Sequence, residues 1–223
     1  RFVAKIVTGF ILGSITLAIM LNPFVLKPGV IFDTRSILLC LSAMFFGIIP
    51  TVIALVMALI LRIWQGGAGV YMGCAVIIES VIWGFVWKKL HGRWNKPYTF
   101  LELYILGIVT HLTMLLLTTL LPVGIRYSIF EAIVFPVIII YPIGTVFLGL
   151  LMARRIQRRQ EKYDLIENEK QFRNLYENAP MPYQSLDING DFVTVNQAWL
   201  ESLGYDKNEV IGKNFSEFLH PDY

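Results

Sequence analysis

Apolar runs dominate the first two thirds of the chain and charges dominate the rest. Up to residue 152, apolar stretches of membrane-spanning length with few charges alternate with short polar connections; from Arg154 onward Arg, Lys, Asp and Glu become dense. About 20 apolar residues are needed to cross a hydrocarbon core roughly 30 Å thick. That criterion predicts spans over residues 2–21, 70–87, 99–121 and 128–152. Between them stand Asn22-Pro23 and a turn-rich connection, the basic run KKLHGRWNK at 88–96, and a short turn at 122–127. Asp33 or Thr34 can cap the helix that follows the first connection.

The stretch 36–61 holds 26 residues without a charge, framed by Asp33 and Arg35 before it and by Arg62 and Gly66-Gly67 after it, with Gly47 and Pro50 in its middle. A straight helix over 36–63 would be about 42 Å long at 1.5 Å per residue and would have to tilt strongly. Alternatively it breaks at Gly47-Ile48-Ile49-Pro50, because Pro has no N–H to give and disfavours helical geometry at the residue before it. Two short helices then form a hairpin that brings Arg35 and Arg62 to one mouth. A straight span puts them on opposite faces, and the pattern leaves both open. The expected fold is an α-helical polytopic membrane domain of five spans, or six with a central short helical hairpin, followed by a truncated α/β domain.

Composition agrees with a membrane protein: 56% of residues are hydrophobic and 16% charged, against roughly 25% charged in soluble domains. The net charge of +3 then reflects topology, and no nucleic-acid partner is expected. Cys40 and Cys74 both lie in apolar segments and supply neither a disulfide framework nor metal-ligand spacing. Without an initiator Met or a signal-peptide pattern, the chain reads as a fragment cut at both ends. Cytoplasmic ends collect Lys and Arg, so the KKLHGRWNK loop and the tail Arg154-Arg155-Ile156-Gln157-Arg158-Arg159 are expected inside, and the Gly66-Gly67 loop outside. A hairpin places Arg1 and Lys5 inside and a straight span places them outside, so the charge rule leans towards the hairpin. At depth stand Glu79, His111 and Glu131, with Tyr141. Intramembrane ionisable groups face a bundle interior or a cavity by default. Glu131, near the start of its span, reads as interfacial; Glu79 and His111 read as a secondary polar site or as interhelical hydrogen-bonders.

Beyond the last span, residues 151–176 lack Gly and Pro and continue as a helix. Ile156, Tyr163 and Ile166 fall on a seam that supports at most two heptads of parallel coiled coil, with a solvated connector as the alternative. Short strands come next at 181–186 and 191–195 around the turn Asp187-Ile188-Asn189-Gly190-Asp191, where Asn-Gly signals a hairpin. A helix at Gln197–Leu203 ends at Gly204.

Glu177-Asn178-Ala179-Pro180, Asp187 through Gly190, Val195-Asn196-Gln197-Ala198, Leu203-Gly204-Tyr205 and Glu209-Val210-Ile211-Gly212 before His220-Pro221 occur in the order of the first half of a PAS domain, which this stretch of about 50 residues resembles. The membrane part in turn resembles the LytS/YhcK-type five-transmembrane receptor (5TMR-LYT) over residues 22–152. The carriers are Pro28-Gly29, Asp33-Thr34-Arg35, Phe46-Gly47, Pro50, Arg62, Gly66-Gly67-Ala68-Gly69, Pro136 and Gly144-Thr145. Where that family often has Gly-Gly-Pro, this chain has Gly47-Ile48-Ile49-Pro50, a softer break. The expected domains are 1–153, the transmembrane sensor; 154–176, a signalling helix; and 177–223, the N-terminal part of the PAS domain.

The resemblance implies a sensor of bacterial or archaeal type: multi-pass in the plasma membrane, with the PAS domain cytoplasmic and a parallel homodimer formed through the helix. Its output domain lies downstream, a histidine kinase acting on a response regulator or a diguanylate cyclase. Some members are thought to sense small carboxylates such as pyruvate. Arg35 and Arg62 would hold such an anion through bidentate guanidinium contacts, with Asp33 orienting Arg35 and Gly66 and Gly67 letting backbone N–H groups approach. In the competing reading Asp33 caps a helix, the arginines snorkel and the glycines turn the chain. A solute transporter is the second functional class, since carriers also use broken helices and intramembrane acids. A helix continuous into a PAS domain counts against it. No catalytic residue, metal site or nucleotide-binding loop stands out, so no enzymatic activity is assigned to this stretch. Partners are membrane lipid and a small ligand; no cofactor is expected in the membrane domain, and that of the PAS domain is unknown.

Overall fold

The computed structural model describes residues 2–27, 30–92 and 97–219. Pro28-Gly29, residues 93–96 of the basic loop, and His220-Pro221 lie outside the described residues. The chain forms two compact units, Arg1–Ile156 and Gln157–Tyr223.

Among the described residues five helices are long and apolar enough to cross a membrane: α1 (Phe2–Leu21), α3 (Ile48–Gln65), α4 (Val70–His91), α5 (Phe100–Leu116, prolonged by a 3-10 turn to Leu120) and α6 (Val123–Glu177), which begins in the first unit and runs past Ile156. The sixth, α2 (Arg35–Phe46), has 12 residues, about 18 Å of helix. The central stretch is therefore two helices parted at Gly47, whose φ of 82° lies where L side chains rarely go. Pro50 falls in the first turn of α3, where its missing N–H costs nothing, while the Thr51 hydroxyl and N–H both donate to the Gly47 carbonyl, at 2.7 and 3.4 Å. Glycine makes the break, and the proline lets the next helix start.

Close contacts fix the helix directions. Gly9 faces Pro50 and Ile53, Gly13 faces Met57, and Gln65 Nε2 donates to the Met20 carbonyl at 3.2 Å, so α1 and α3 run parallel. Arg35 shares a cavity with Gly69 and Gly73, Gly84 abuts Cys40 and Ala43, and Lys88 reaches Gly47, so α4 runs parallel to α2. Helix α5 is antiparallel to α4, with Thr113 bonded to Glu79 and Trp83 and Glu102 to Trp87, and to α6, with Gly107 against Pro142 and Leu103 against Gly149. Chain direction thus alternates through all six helices, and α2–α3 is a hairpin with Arg35 and Arg62 at the same end.

All ten residues from Arg35 to Met44 are buried, as expected only for a helix with neighbours all round. Leu38, Leu39 and Ala43 pack with Leu12 and Met20 of α1, Ala54 and Ala58 of α3, and Ile77 and Val81 of α4. On the other side Ile37, Cys40, Leu41 and Met44 pack with Leu103 and Leu106 of α5 and with Tyr141 and Val146 of α6.

Several boundaries differ from the sequence expectation. The connection before α2 contains an antiparallel hairpin, β1 (Phe24–Lys27) with β2 (Val30–Phe32), where only turns were expected. Helix α4 runs on to His91. Helix α6 starts at Val123 because the Pro122 carbonyl accepts from both Ile125 and Arg126, each at 3.1 Å, so the expected turn residues are its first turn. It passes through Pro136 and Pro142, and Glu131 on it is exposed.

The second unit pairs β3 (Gln184–Leu186) with β4 (Phe192–Val195) in antiparallel fashion, followed by α7 (Gln197–Leu203) and the short α8 (Lys207–Val210). Both strands are shorter than expected because local side chains take their backbone groups. Asn196, fully buried, accepts from Tyr183 N and Trp199 N at 2.8 and 3.0 Å and donates to the Tyr176 and Met181 carbonyls at 3.1 and 2.9 Å. Asp187 Oδ1 takes the N–H of Asp191 at 2.8 Å and that of Asn189 at 2.9 Å, bonds that hold its carboxyl below the usual carboxylate range. Phe192, Val195, Trp199 and Val210 form the small core.

Gly84 tests the central packing. A Cβ there would overlap the Cys40 carbonyl oxygen and lie 2.7 Å from Ala43 Cβ, and neither can give way without moving α2. Gly84→Ala should therefore cost about 1–3 kcal/mol as overpacking, whereas Gly124→Ala, with nothing within 4 Å, should be neutral. Thermal unfolding midpoints in detergent check both.

Candidate ligand-binding site

Arg35 opens α2 and Arg62 stands in the last turn of α3, so the hairpin delivers both guanidiniums to one end of the bundle. Both are buried. Asp33 holds Arg35 twice: one carboxylate oxygen accepts the Arg35 backbone N–H at 2.9 Å and the other pairs with its guanidinium. From α6, the Tyr141 hydroxyl donates to the Asp33 carbonyl at 3.0 Å. Arg62 lies against Gly73, where a Cβ would come within 2.9 Å of Arg62 Cδ. The one hydrogen bond found for its guanidinium among the described residues reaches the Gly66 carbonyl at 3.5 Å. In both arginines Nε is buried without a partner among the described residues.

The two arginines line a cavity of about 40 Å³ together with Gly69, Gly73, Met72, Val76, Met114, Leu121, Ile129 and Ile133. At roughly 10–15 Å³ per water-sized position, that admits about three such groups, the size of a carboxylate. Its electrostatics are unbalanced: among the described residues two guanidiniums and no carboxylate line it, and Asp33 pairs with Arg35 alone. Burying an unmatched cation is expensive.

A family model described as the 5TMR of 5TMR-LYT matches residues 1–155, well over half of the chain. The chain belongs to the 5TMR-LYT family. A PAS-fold model matches residues 170–223, and a 5TMR-LYT domain joined to a PAS region fits a membrane sensor in signalling. No curated protein and no solved structure matches.

Within the 5TMR-LYT unit, the residues expected around the ligand do not all converge. Asp33, Arg35 and Arg62 come together. Gly66 and Gly67 instead form the α3–α4 turn with φ of 64° and 89°, and the Gly66 N–H caps α3 by donating to the Ile63 carbonyl at 3.2 Å. The glycines at the cavity are Gly69 and Gly73, four residues apart on one face of α4, a spacing that in the sequence signals close helix packing.

Glu79 and His111 take separate partners, and among the described residues no hydrogen bond joins them. His111 approaches Ser36 Oγ at 3.3 Å and the Gly107 carbonyl at 2.6 Å and stands edge-on to Tyr141. Its partner Ser36 is the residue after Arg35, so His111 lies behind the cavity. Glu79 accepts from the Thr113 hydroxyl, which Trp83 Nε1 also approaches at 3.0 Å, and its second oxygen is buried without a partner. Sequence reasoning missed a third cluster, at the other end of the bundle. Buried Glu102 accepts from Trp87 Nε1 at 3.2 Å and meets His91 Nδ1 at 2.6 Å, with Tyr98 stacked on His91. The signal for it is Thr99, whose side chain caps α5 by accepting the Glu102 N–H at 3.3 Å.

Asp33→Asn leaves Arg35 charged, buried and without its counterion. Such a change should lower stability by about 3–5 kcal/mol, and adding Arg35→Gln should recover part of the loss. A thermal-unfolding double-mutant cycle in detergent reads both outcomes.

Proposed function

We propose that this protein is a membrane signal receptor whose ligand is a small carboxylate bound between Arg35 and Arg62. The observation that carries the reading is the pair of buried guanidiniums with unpartnered Nε groups on one carboxylate-sized cavity. A carboxylate would supply acceptors for both and neutralise the excess charge, and Arg, unlike Lys, offers it two parallel donors. In this reading Asp33 is a positioning residue that fixes Arg35. Gly69 and Gly73 leave room for the ligand, and His111 supports Ser36 and Tyr141 behind it.

The same contacts give the signal a route. Tyr141 ties Asp33 to α6 immediately before Pro142, so a ligand that redraws the Asp33–Arg35 pair acts on the helix that continues as far as Glu177. Lys5, Lys88 and Lys89, with Arg154 and Arg155 closing the last span, put the cytoplasm at the end away from the cavity by the positive-inside rule. The PAS region then lies in the cytoplasm. Exposed Ile156, Tyr163 and Ile166 on α6 form the seam of a parallel dimer, and a histidine kinase or diguanylate cyclase downstream would read its state.

Arg35→Lys and Arg62→Lys keep the charge and lose the fork, so each should weaken pyruvate binding by about 10- to 150-fold, the equivalent of 1.5–3 kcal/mol. Calorimetry on the purified protein tests this. Wild-type affinity in either variant would show that the arginines are not the ligand's anchors. Signal transfer has its own test: inserting four residues after Gln160 rotates the downstream part of the helix by roughly 40°, and should abolish the ligand response of the full-length receptor while leaving binding unchanged. An intact response would rule out transmission by a rigid helix.

A further inference from the structure

A second, wider opening of about 590 Å³ lies at the end of the bundle away from the arginines. Its walls come from three places: Lys5 on α1, the α2–α3 break at Phe46, Ile48 and Ile49, and Phe85 with Lys88 near the end of α4. We propose that it binds an anionic phospholipid, taking the phosphate between Lys5 and Lys88 and the upper part of an acyl chain against the break. The inference is independent of the carboxylate reading and of which leaflet this end faces.

Charge gives the first argument. Both ionisable groups that line the opening are ammonium groups, and no acidic side chain is among its described lining residues. Lys88 reaches over the break itself, its Nζ 3.7 Å from where a Gly47 Cβ would stand. The backbone gives the second. At the start of α3 the N–H groups of Ile48 and Ile49 precede the first intrahelical donor, Thr51, whose N–H goes to the Gly47 carbonyl, and Gly47 at the cap offers no side chain to receive them. They leave donors beside the two lysines for phosphate oxygens.

Apolar surface and depth separate a lipid from a free anion. Ile48 is 69% exposed and Phe46 37% exposed directly beside the cations; inorganic phosphate would leave that surface uncovered and an acyl chain would cover it. Because α2 is only 12 residues long, the break is recessed, while α4 continues past it to His91. A headgroup can enter such a recess with its chains still in the bilayer. Basic pockets between transmembrane helices are the recurrent way that anionic headgroups are recognised.

Native mass spectrometry of the whole chain, released from micelles containing equal phosphatidylglycerol and phosphatidylcholine, tests the site. The wild type should retain phosphatidylglycerol in preference to phosphatidylcholine. At about 1 kcal/mol per basic residue, Lys5→Gln and Lys88→Gln should each weaken retention about fivefold and the pair about 30-fold. The Lys5→Arg/Lys88→Arg pair should keep it, and millimolar inorganic phosphate should not displace it. Equal retention of the two lipids by the wild type, or undiminished phosphatidylglycerol on the double Gln variant, would overturn the proposal. Displacement by inorganic phosphate would make this a free-anion site and overturn it equally.

Discussion

A helix too short to cross the bilayer is buried on every side in this protein, and the rest of the membrane unit depends on that constraint. Helix α2 presents ten consecutive buried residues, so other elements must cover it, and α1, α3, α4, α5 and α6 all do. Where they approach most closely they do so through glycine, Gly84 of α4 being pressed against the α2 backbone. Small residues are the general means of bringing helices together in lipid, where no hydrophobic effect drives them. The same shortness sets the positions of the charges. Arg35 begins the buried helix and is drawn inward with it, and the hairpin returns Arg62 to the same level. Neither reaches water as a snorkelling arginine would: Arg35 is buried with the helix that it begins, and Arg62, although it closes a helix of spanning length, is buried against Gly73.

Asp33 is where that constraint becomes a connection between elements. Its carboxylate serves Arg35 and its carbonyl serves Tyr141, so the start of α2 and the middle of α6 share one residue. Helix α6 is weakest there: Pro142 gives no N–H to the helix ladder, and its Cα packs against Gly107 so closely that an added Cβ would lie 2.7 Å away. Tight packing beside an interrupted ladder favours discrete alternatives over gradual bending. A change in the Asp33–Arg35 pair therefore has a mechanical partner in α6.

The spans and the PAS hairpin were legible in the sequence because hydropathy and the Asn-Gly turn are local signals. The central stretch was legible only in part: 28 residues fit a strongly tilted span or a hairpin, excess length and the basic start of the chain lean towards the hairpin, and the break at Gly47 decides it. Burial of Arg35 and Arg62 was hidden by the default that arginines at helix ends reach for water. Gly66-Gly67 drew attention as the more conspicuous pair, yet their positive φ angles serve the turn, while Gly73 makes the room for Arg62 that decides the cavity. The β1–β2 hairpin was missed because Pro-Gly marks a turn without stating that the flanks pair. Pro122 was read as part of a turn because proline's preference for a helix start looks the same in sequence as its role as a breaker.

Size and charge together narrow what the proposed site would accept. Beyond the two guanidiniums and the glycines Gly69 and Gly73, the cavity wall is Met72, Val76, Met114, Leu121, Ile129 and Ile133, side chains that welcome a methyl group and offer no hydrogen bond. A monocarboxylate with a short apolar remainder matches both halves chemically: its carboxylate fills the cavity of about 40 Å³, and the remainder enters once the flexible Met72 and Met114 side chains shift. In a dicarboxylate the second charge would have to leave water for that apolar wall with no counterion, and desolvating an unpaired ion costs several kcal/mol. That penalty exceeds the roughly 1.5–3 kcal/mol of an ordinary charge-assisted bond, so the second carboxylate cannot be compensated by gains at the first. On the proposed reading, discrimination against diacids comes from the apolar wall, and affinity from the arginines. The two properties are separable, because Met72 and Val76 lie on α4 while Arg35 and Arg62 belong to the hairpin.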